Sequence, residues 1–306
     1  MSSMPTLRIA LLLGGRSSER EVSLKTGEAI AAALQRLGHT TIKIDPDEDL
    51  FEELKRSEPD LVYNALHGTE GEDGVIQGIL QWLKLPYTGS NLTSSALAMD
   101  KSLSRILFAQ AGVPIASGAV WRRGEAVPSL NQIPPPPWIF KPASEGSSVG
   151  LHACDTFEDL TEALLSKTEV DPDTWLIEER VYGTEISVVV CEGEVWGGVE
   201  IAPSSGMYDY EAKYKRQDTQ YYCPPRIASE LQERVEGYAA QAYRALGCSG
   251  VARVDFIVSS QRIIALELNT LPGMTETSLV PKVARAFGLS FDQVIERTIQ
   301  LALKQE

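Results

Sequence analysis

A chain of 306 residues, 43% hydrophobic and 23% charged, has the make-up of a soluble globular protein with room for two or three cored domains. Its formal net charge of −14 argues against a nucleic-acid partner, because no basic field offsets the phosphates of a polyanion. A small anion can still bind at a locally basic pocket.

Leu7–Leu13 has the composition of a buried parallel strand. Its apolar run, Ile9–Leu13, ends at Gly14-Gly15-Arg16 and is too short for a signal h-region or a membrane span. A helical pattern through Ala29, Ala32, Ala33 and Leu37 follows, with Gly38 as its stop. Strand-like Thr41–Asp45, a short helix around Leu50–Arg56 and a strand over Leu61–Ala65 complete a β-α-β-α-β order. That order predicts an open parallel sheet whose ligands lie beyond the carboxyl ends of its strands. Two loops meet at that edge, Gly14–Glu21 and His67–Gly74. The Gly14-Gly15 turn lacks the G-x-G-x-x-G spacing of a dinucleotide fold. A lone His in a glycine-rich loop is more often structural than catalytic.

Tyr87–Met99 crosses into a second region. Asp100-Lys101-Ser102-Leu103 starts a helix that runs to Gln110, ended by Gly112-Val113-Pro114. Pro134–Pro137, consistent with polyproline geometry, feeds a strand over Trp138–Lys141. In the loop KPASEGSSVG that follows, small residues let the backbone fold over phosphates, and Lys141 supplies a compact cation. No Gly-Lys-Ser/Thr closes it, so it is not a Walker A motif. A helix over Phe157–Leu165 and a strand over Thr174–Glu178 lead through Glu178–Glu185 into a strand over Ile186–Cys191. Ala202–Cys223 is a polar loop long enough to be functional or disordered. Its Tyr208, Tyr210, Lys213, Tyr214 and Lys215 make it too aromatic for typical disorder. Ser229–Leu246 is an amphipathic helix, and a last helix, Phe291–Lys304, packs as a cap. Cys154, Cys191, Cys223 and Cys248 form no Cys-x-x-Cys pair. They suit reduced thiols of a cytoplasmic protein rather than a zinc site or a disulfide framework.

Gly250–Lys282 is the stretch around which the rest is organised. Val251–Val258 and Arg262–Leu268 have strand composition, and Ser259-Ser260-Gln261 closes a hairpin between them. Alternation puts Ala252, Val254, Phe256 and Val258 on one face with Ile264, Leu266 and Leu268. Arg253, Asp255, Glu267 and Asn269 share the other. With Val258 opposite Arg262, Arg253 lies across from Glu267 and Asp255 sits diagonal to it, roughly 7–8 Å away. Three oxygen ligands and a guanidinium on one face suit a hard cation such as magnesium. For the hairpin alone, a solvated face with ordinary cross-strand ion pairs is the simpler reading. The polar residues run straight into Thr270-Leu271-Pro272-Gly273-Met274-Thr275, however, where Gly273 lets backbone N–H groups approach a ligand, and that favours a site.

The run ELNTLPGMT resembles the metal-binding segment of the D-alanine–D-alanine ligases of the ATP-grasp superfamily. HGTEGEDG, KPASEGSSVG, YDYEAKY, RVD and TSLVP also occur in that family's order, so the resemblance covers essentially the whole chain. It implies an α/β protein with an N-terminal open parallel sheet domain (1–95), a central ATP-grasp lobe (96–182) and a C-terminal ATP-grasp lobe (183–306). The implied reaction joins two D-alanines at the expense of ATP, through an acyl phosphate, for peptidoglycan precursors in the cytoplasm. The family is typically dimeric, so the resemblance implies a homodimer, and it implies neither a nucleic-acid nor a membrane partner.

The resemblance also implies roles. Glu19 meets the ammonium of the first amino acid and His67 lies beside its carboxylate. Lys101, Lys141 and Lys213 hold ATP phosphates under the Ser147-Ser148 flap. Glu178 and Val181 are hinge positions for adenine, and Glu185 binds ribose. Glu179 and Arg180 depart from the family's usual lysine and aromatic, at places where the hinge uses backbone groups. Asp255, Glu267 and Asn269 hold magnesium, two ions in the family, with manganese as a substitute. Arg253 and the Gly273 N–H face the oxyanion. The Ser278 hydroxyl and Leu279 N–H anchor the second carboxylate, and the Tyr214 phenol reaches toward Glu19 and Ser147. A ligase for a D-alanine–D-X product and a non-catalytic sensor of nucleotide or amino acid are the rival readings.

Overall fold

The computed structural model describes residues 5–46, 49–146, 149–166, 173–203 and 218–304. Strand β1 (Arg8–Leu12) lies between β2 (Thr40–Ile44) and β3 (Leu61–Asn64) in a parallel three-stranded sheet. Its Ile9, Ala10, Leu11 and Leu12 are fully buried, as a strand covered on both faces requires. Helix α1 (Arg20–Arg36) buries Ser23, Thr26, Ile30, Ala33 and Leu34. The expected stripe through Ala32 is therefore rotated: Ala32 is exposed, and two hydroxyl residues take places on the buried face. Ser23 explains the choice, because its Oγ donates to the Ala65 carbonyl at 2.8 Å and accepts from the Gly14 N–H at 2.8 Å. Gly27 allows the close approach, since a Cβ there would stand 2.5 Å from Cβ of Leu13.

Helix α2 (Leu50–Ser57) precedes β3, and α3 (Val75–Leu83) follows the His67–Gly74 loop. The Tyr87–Met99 crossing holds more order than its sequence suggests. Tyr87 bridges to Val62, and Asn91 caps α4 (Leu92–Met99) by accepting from the Ser94 N–H. Asp100 likewise caps α5 (Lys101–Gln110), accepting from the N–H groups of Ser102 and Leu103.

A second sheet, antiparallel, has the order β4 (Gly118–Arg122), β7 (Thr174–Glu179), β5 (Trp138–Pro142), β6 (His152–Cys154). Helix α6 (Phe157–Leu165) covers it behind a Thr156–Asp159 capping box. Phe140 stacks on Trp175 with ring centroids 4.4 Å apart. The third sheet runs β10 (Gln220–Tyr222), β9 (Glu194–Ala202), β8 (Thr184–Cys191), β11 (Val251–Val258), β12 (Ile263–Asn269), again antiparallel. Both β9 and β10 lie outside the expected strands, and β10 cuts into the long Ala202–Cys223 loop. Residues 204–217 of that loop are outside the described residues.

The hairpin's register differs from the expected one. Ser259 and Arg262 close a longer turn, with the Ser259 N–H donating to the Arg262 carbonyl at 2.8 Å. Val258 therefore faces Ile263, Asp255 stands directly opposite Glu267, and Arg253 faces Asn269. A bulge between Asp255 and Phe256 absorbs Leu266 as an unpaired residue. The bulge shifts the phase of β12, so Ile263, Ala265 and Leu268 join Val254, Phe256 and Val258 in the core. Leu266 moves to the side carrying the acidic residues.

Helix α7 (Ser229–Ala245) packs Val235, Ala239 and Ala242 on that core. The C-terminal pair, α8 (Leu279–Ala286) and α9 (Phe291–Ala302), does more than cap the chain. Val294, Ile295 and Ile299 share one buried cluster with Ile30 and Leu34 of α1 and with Val189 and Val199 of the third sheet. Each such fully buried side chain contributes about 1.5–3 kcal/mol. The cluster clamps the first sheet to the third, and this brings the two glycine-rich loops over the hairpin.

Candidate active site

Two cavities, of about 520 and 400 Å³, flank the polar side of the hairpin. Glu19, His67, Arg253, Asn269, Gly273, Ser278 and Leu279 line the first. Lys141, Glu178 and Val181 line the second, between apolar walls of Ile139, Ile257 and Leu266. Lys101, Glu185, Asp255 and Glu267 line both. The arrangement is therefore a polar chamber and a slot with charged and apolar walls, and the two share one charged wall. Ser147, Ser148, Lys213 and Tyr214 lie outside the described residues.

At the shared wall Asp255 is 6% exposed. Its carboxylate accepts from two nitrogens of Arg253, Nε at 2.9 and 3.2 Å and Nη2 at 2.8 Å, and from Ser187 Oγ at 2.6 Å. The guanidinium thus lies along its own strand rather than across to Glu267. Lys101 Nζ stands 3.2 Å from Glu267 Oε2 and donates to the Glu145 carbonyl at 2.7 Å. Asn269 Oδ1 accepts from the Leu271 N–H at 2.7 Å, which turns the chain out of the strand toward Gly273. Two facing carboxylates and an amide oxygen on one side of a hairpin form a hard-oxygen donor set that fits magnesium.

In the slot, Glu178 is buried between two cations. Lys141 Nζ is 2.8 Å from its Oε2 and Arg105 Nε is 2.9 Å from its Oε1. Glu179, the departure from the family pattern, pairs with Arg262 at 2.6 and 2.9 Å and accepts from the Ser117 N–H. Hydrogen bonding to the Arg262 guanidinium pulls its carboxyl down to about 2. The neighbouring N–H of Arg180 donates to the Pro137 carbonyl, and its guanidinium lies over the Tyr182 ring at 5.1 Å.

In the polar chamber, His67 is buried with both ring nitrogens engaged. Nδ1 is 3.1 Å from Glu72 Oε1 and Nε2 is 3.1 Å from Thr26 Oγ1. The loop beneath it is held by Asn64 Nδ2 and Gln77 Nε2, which both donate to the Gly71 carbonyl. A Cβ at Gly146 would stand 2.8 Å from Glu19 Oε1, so the Gly146 backbone lies against that carboxylate. A Cβ at Gly273 would meet Ser278 Oγ at 3.1 Å and His67 Cε1 at 3.9 Å, which places the Gly273 backbone against both. Ser278 sits at the N-cap of α8, where it accepts from the Thr275 N–H at 3.0 Å and makes no side-chain bond to the helix's first turn.

Sequence reasoning missed Ser187, Arg105, Glu72 and Lys282. Ser187 had a signal, as the one hydroxyl within the apolar run Ile186–Cys191. Arg105 had another, four residues from Lys101 and hence on the same helix face. Lys282 lines the chamber over the Tyr221 ring at 4.6 Å, and burial, followed by repulsion from Arg285, pulls its ammonium down. No sequence spacing linked it to Tyr221.

Comparison with known proteins finds relatives along almost the whole chain. The family model described as D-ala D-ala ligase N-terminus matches residues 46–90, and D-ala D-ala ligase C-terminus matches 107–300. The D-alanine–D-alanine ligase of Anaeromyxobacter dehalogenans (strain 2CP-C) is 43% identical over 302 residues, covering 98% of each chain. That of Geobacter sulfurreducens is 41% identical over 308 residues, covering 99% of this chain and 97% of the relative. The crystal structure of the Bacillus anthracis ligase complexed with ATP superposes with a TM-score of 0.86 at 30% identity and 98% coverage of both chains. A D-Ala:D-Ser ligase from Enterococcus faecalis gives 0.80 at 28% identity, covering 97% of this chain and 100% of its own. Two family models in order, relatives above 40% identity along almost the whole length and a shared fold lead to one conclusion: this chain belongs to the D-alanine–D-alanine ligase family, with the ATP-grasp fold.

Proposed function

We propose that the protein joins two D-alanines to D-alanyl-D-alanine, converting ATP to ADP and phosphate, in the cytoplasmic synthesis of peptidoglycan precursors. The observation that carries this reading is the wall shared by the polar chamber and the slot, where Lys101, Glu185, Asp255 and Glu267 face both. A carboxylate is a poor acyl donor, so its activation and its capture by an amine must occur within one enclosure. A wall common to the nucleotide and the amino acids meets that need.

ATP fits the slot with its base between Ile139, Val181 and Leu266, its ribose toward Glu185 and its phosphates toward Lys101, Lys141 and Lys213. Magnesium held by Asp255, Glu267 and Asn269 would neutralise phosphate charge, the main demand of phosphoryl transfer. The first D-alanine places its ammonium at Glu19 and its carboxylate beside His67. Its carboxylate oxygen takes the γ-phosphoryl group and ADP is left. The second D-alanine is held through its carboxylate by Ser278 and the Leu279 N–H. Its amine, once deprotonated, attacks the acyl carbon, and phosphate departs with the C–O electron pair. Arg253 and the Gly273 N–H stabilise the oxyanion formed in between. The same reading assigns Tyr214, Ser147 and Glu19 to the acceptor step.

The same reading divides the chain into an N-terminal domain (1–95), a central lobe (96–182) and a C-terminal lobe (183–306), and it takes the working unit as a homodimer. ADP release measured with and without D-alanine tests the function. Release that requires D-alanine and yields the dipeptide supports it, and nucleotide binding without turnover points to a sensor.

A further inference from the structure

His67 lines the polar chamber yet has no ring nitrogen to spare for a ligand. Nδ1 faces a Glu72 carboxylate oxygen, which can only accept, so the proton of that contact belongs to Nδ1. Nε2 faces the Thr26 hydroxyl at 3.1 Å. Thr26 is 2% exposed, on the face of α1 that Gly27 and Ser23 draw against the strand ends. A hydroxyl both donates and accepts, so it satisfies Nε2 whether or not that atom carries a proton. The ring edge left toward the chamber carries Cε1, beside the Gly273 backbone.

We infer that Thr26 is a positioning residue for the first amino-acid subsite. Its hydroxyl and the Glu72 carboxylate grip the two nitrogens of His67, so that the ring stands in one orientation and one tautomer between Glu19 and the Gly273 loop. This rests on the ligase reading, since it assigns His67 to the first substrate. Valine at position 26 keeps the shape of threonine and leaves a buried ring nitrogen unpartnered, whereas serine keeps the hydroxyl.

The full chain carrying Thr26→Val or Thr26→Ser tests it in two ways. Initial rates at saturating ATP separate the two D-alanine binding steps. Thr26→Val should raise the half-saturating concentration for the first step about tenfold, with the second step and the maximal rate unchanged, and Thr26→Ser should behave as the parent. Equal weakening of both steps, no weakening in Thr26→Val, or no rescue by serine would overturn the assignment. Long-range ¹H–¹⁵N spectra provide the second test, because the chain has three histidines and their ring nitrogens can be told apart. His67 should show a protonated Nδ1 in the parent protein, and a bare Nδ1 would refute the grip. These spectra need no turnover, so failure of the ligase reading and failure of the grip show up separately.

Discussion

Replacing Glu267 by glutamine removes one negative charge from the wall shared by the two cavities while keeping the shape of the side chain. The carboxylate lies 3.2 Å from Lys101 Nζ. At an effective dielectric of about 20 the gross attraction across that distance is about 5 kcal/mol. Most of it does not appear in stability, because the amide oxygen can still accept from Lys101 and the Glu145 carbonyl remains its second partner. We expect the variant to lose about 1–2 kcal/mol of stability and to stay folded. On the proposed reading catalysis is more exposed to the change, since the charge would act where phosphate charge must be neutralised and Asp255 directly opposite is already shared with Arg253 and Ser187. Losing one preorganised group of this kind costs about 100- to 1,000-fold in kcat, or about 3–4 kcal/mol. ADP release across a magnesium titration, with thermal melting as the control for folding, measures both quantities. A well-folded Glu267→Gln protein with normal turnover and an unchanged magnesium dependence would remove this wall from the mechanism.

Three further outcomes are expected. Gly273→Ala adds a Cβ 3.1 Å from Ser278 Oγ, so it should lower turnover about tenfold by crowding the loop, and full activity in a competition-free rate assay would show that the loop yields. Tyr214→Phe should weaken the preference for D-alanine over D-lactate as acceptor near neutral pH, read as the ratio of dipeptide to depsipeptide with both acceptors present; equal yields from the unmodified protein would sink the assignment of Tyr214. The Glu179 carboxyl is depressed from 4.5 to about 2 by Arg262, so its stabilising contribution is complete above 4.5 and is lost as pH falls toward 2. Melting temperatures taken between pH 5 and pH 2 should therefore fall less steeply for Glu179→Gln than for the parent, and parallel slopes would count against the Arg262 pairing.

The chain's local order was legible in its residues. Asp100 before Lys101 announced a cap, and α5 starts there; Phe157–Leu165 and the start of α7 at Ser229 fall where periodicity put them. The acidic side of the hairpin, ending in a Pro-Gly loop, was visible because alternation along a strand is local. Its register was not. The bulge at Asp255 depends on how Leu266 is accommodated by a slot whose other walls, Ile139 and Val181, come from the second sheet and its connection to the third. The same limit hid Thr26 and Glu72 behind His67, since α1 and the glycine loop meet only when Gly27 seats the helix on Leu13. Arg105 and Ser187 each carried a signal in the sequence, but the carboxylates they engage, Glu178 and Asp255, were hidden by the same limit. Motif and period are set by neighbours along the chain, and they named the chemistry. The partners of a buried charge are set by which surfaces must be buried together, and only the packed tertiary structure decides that.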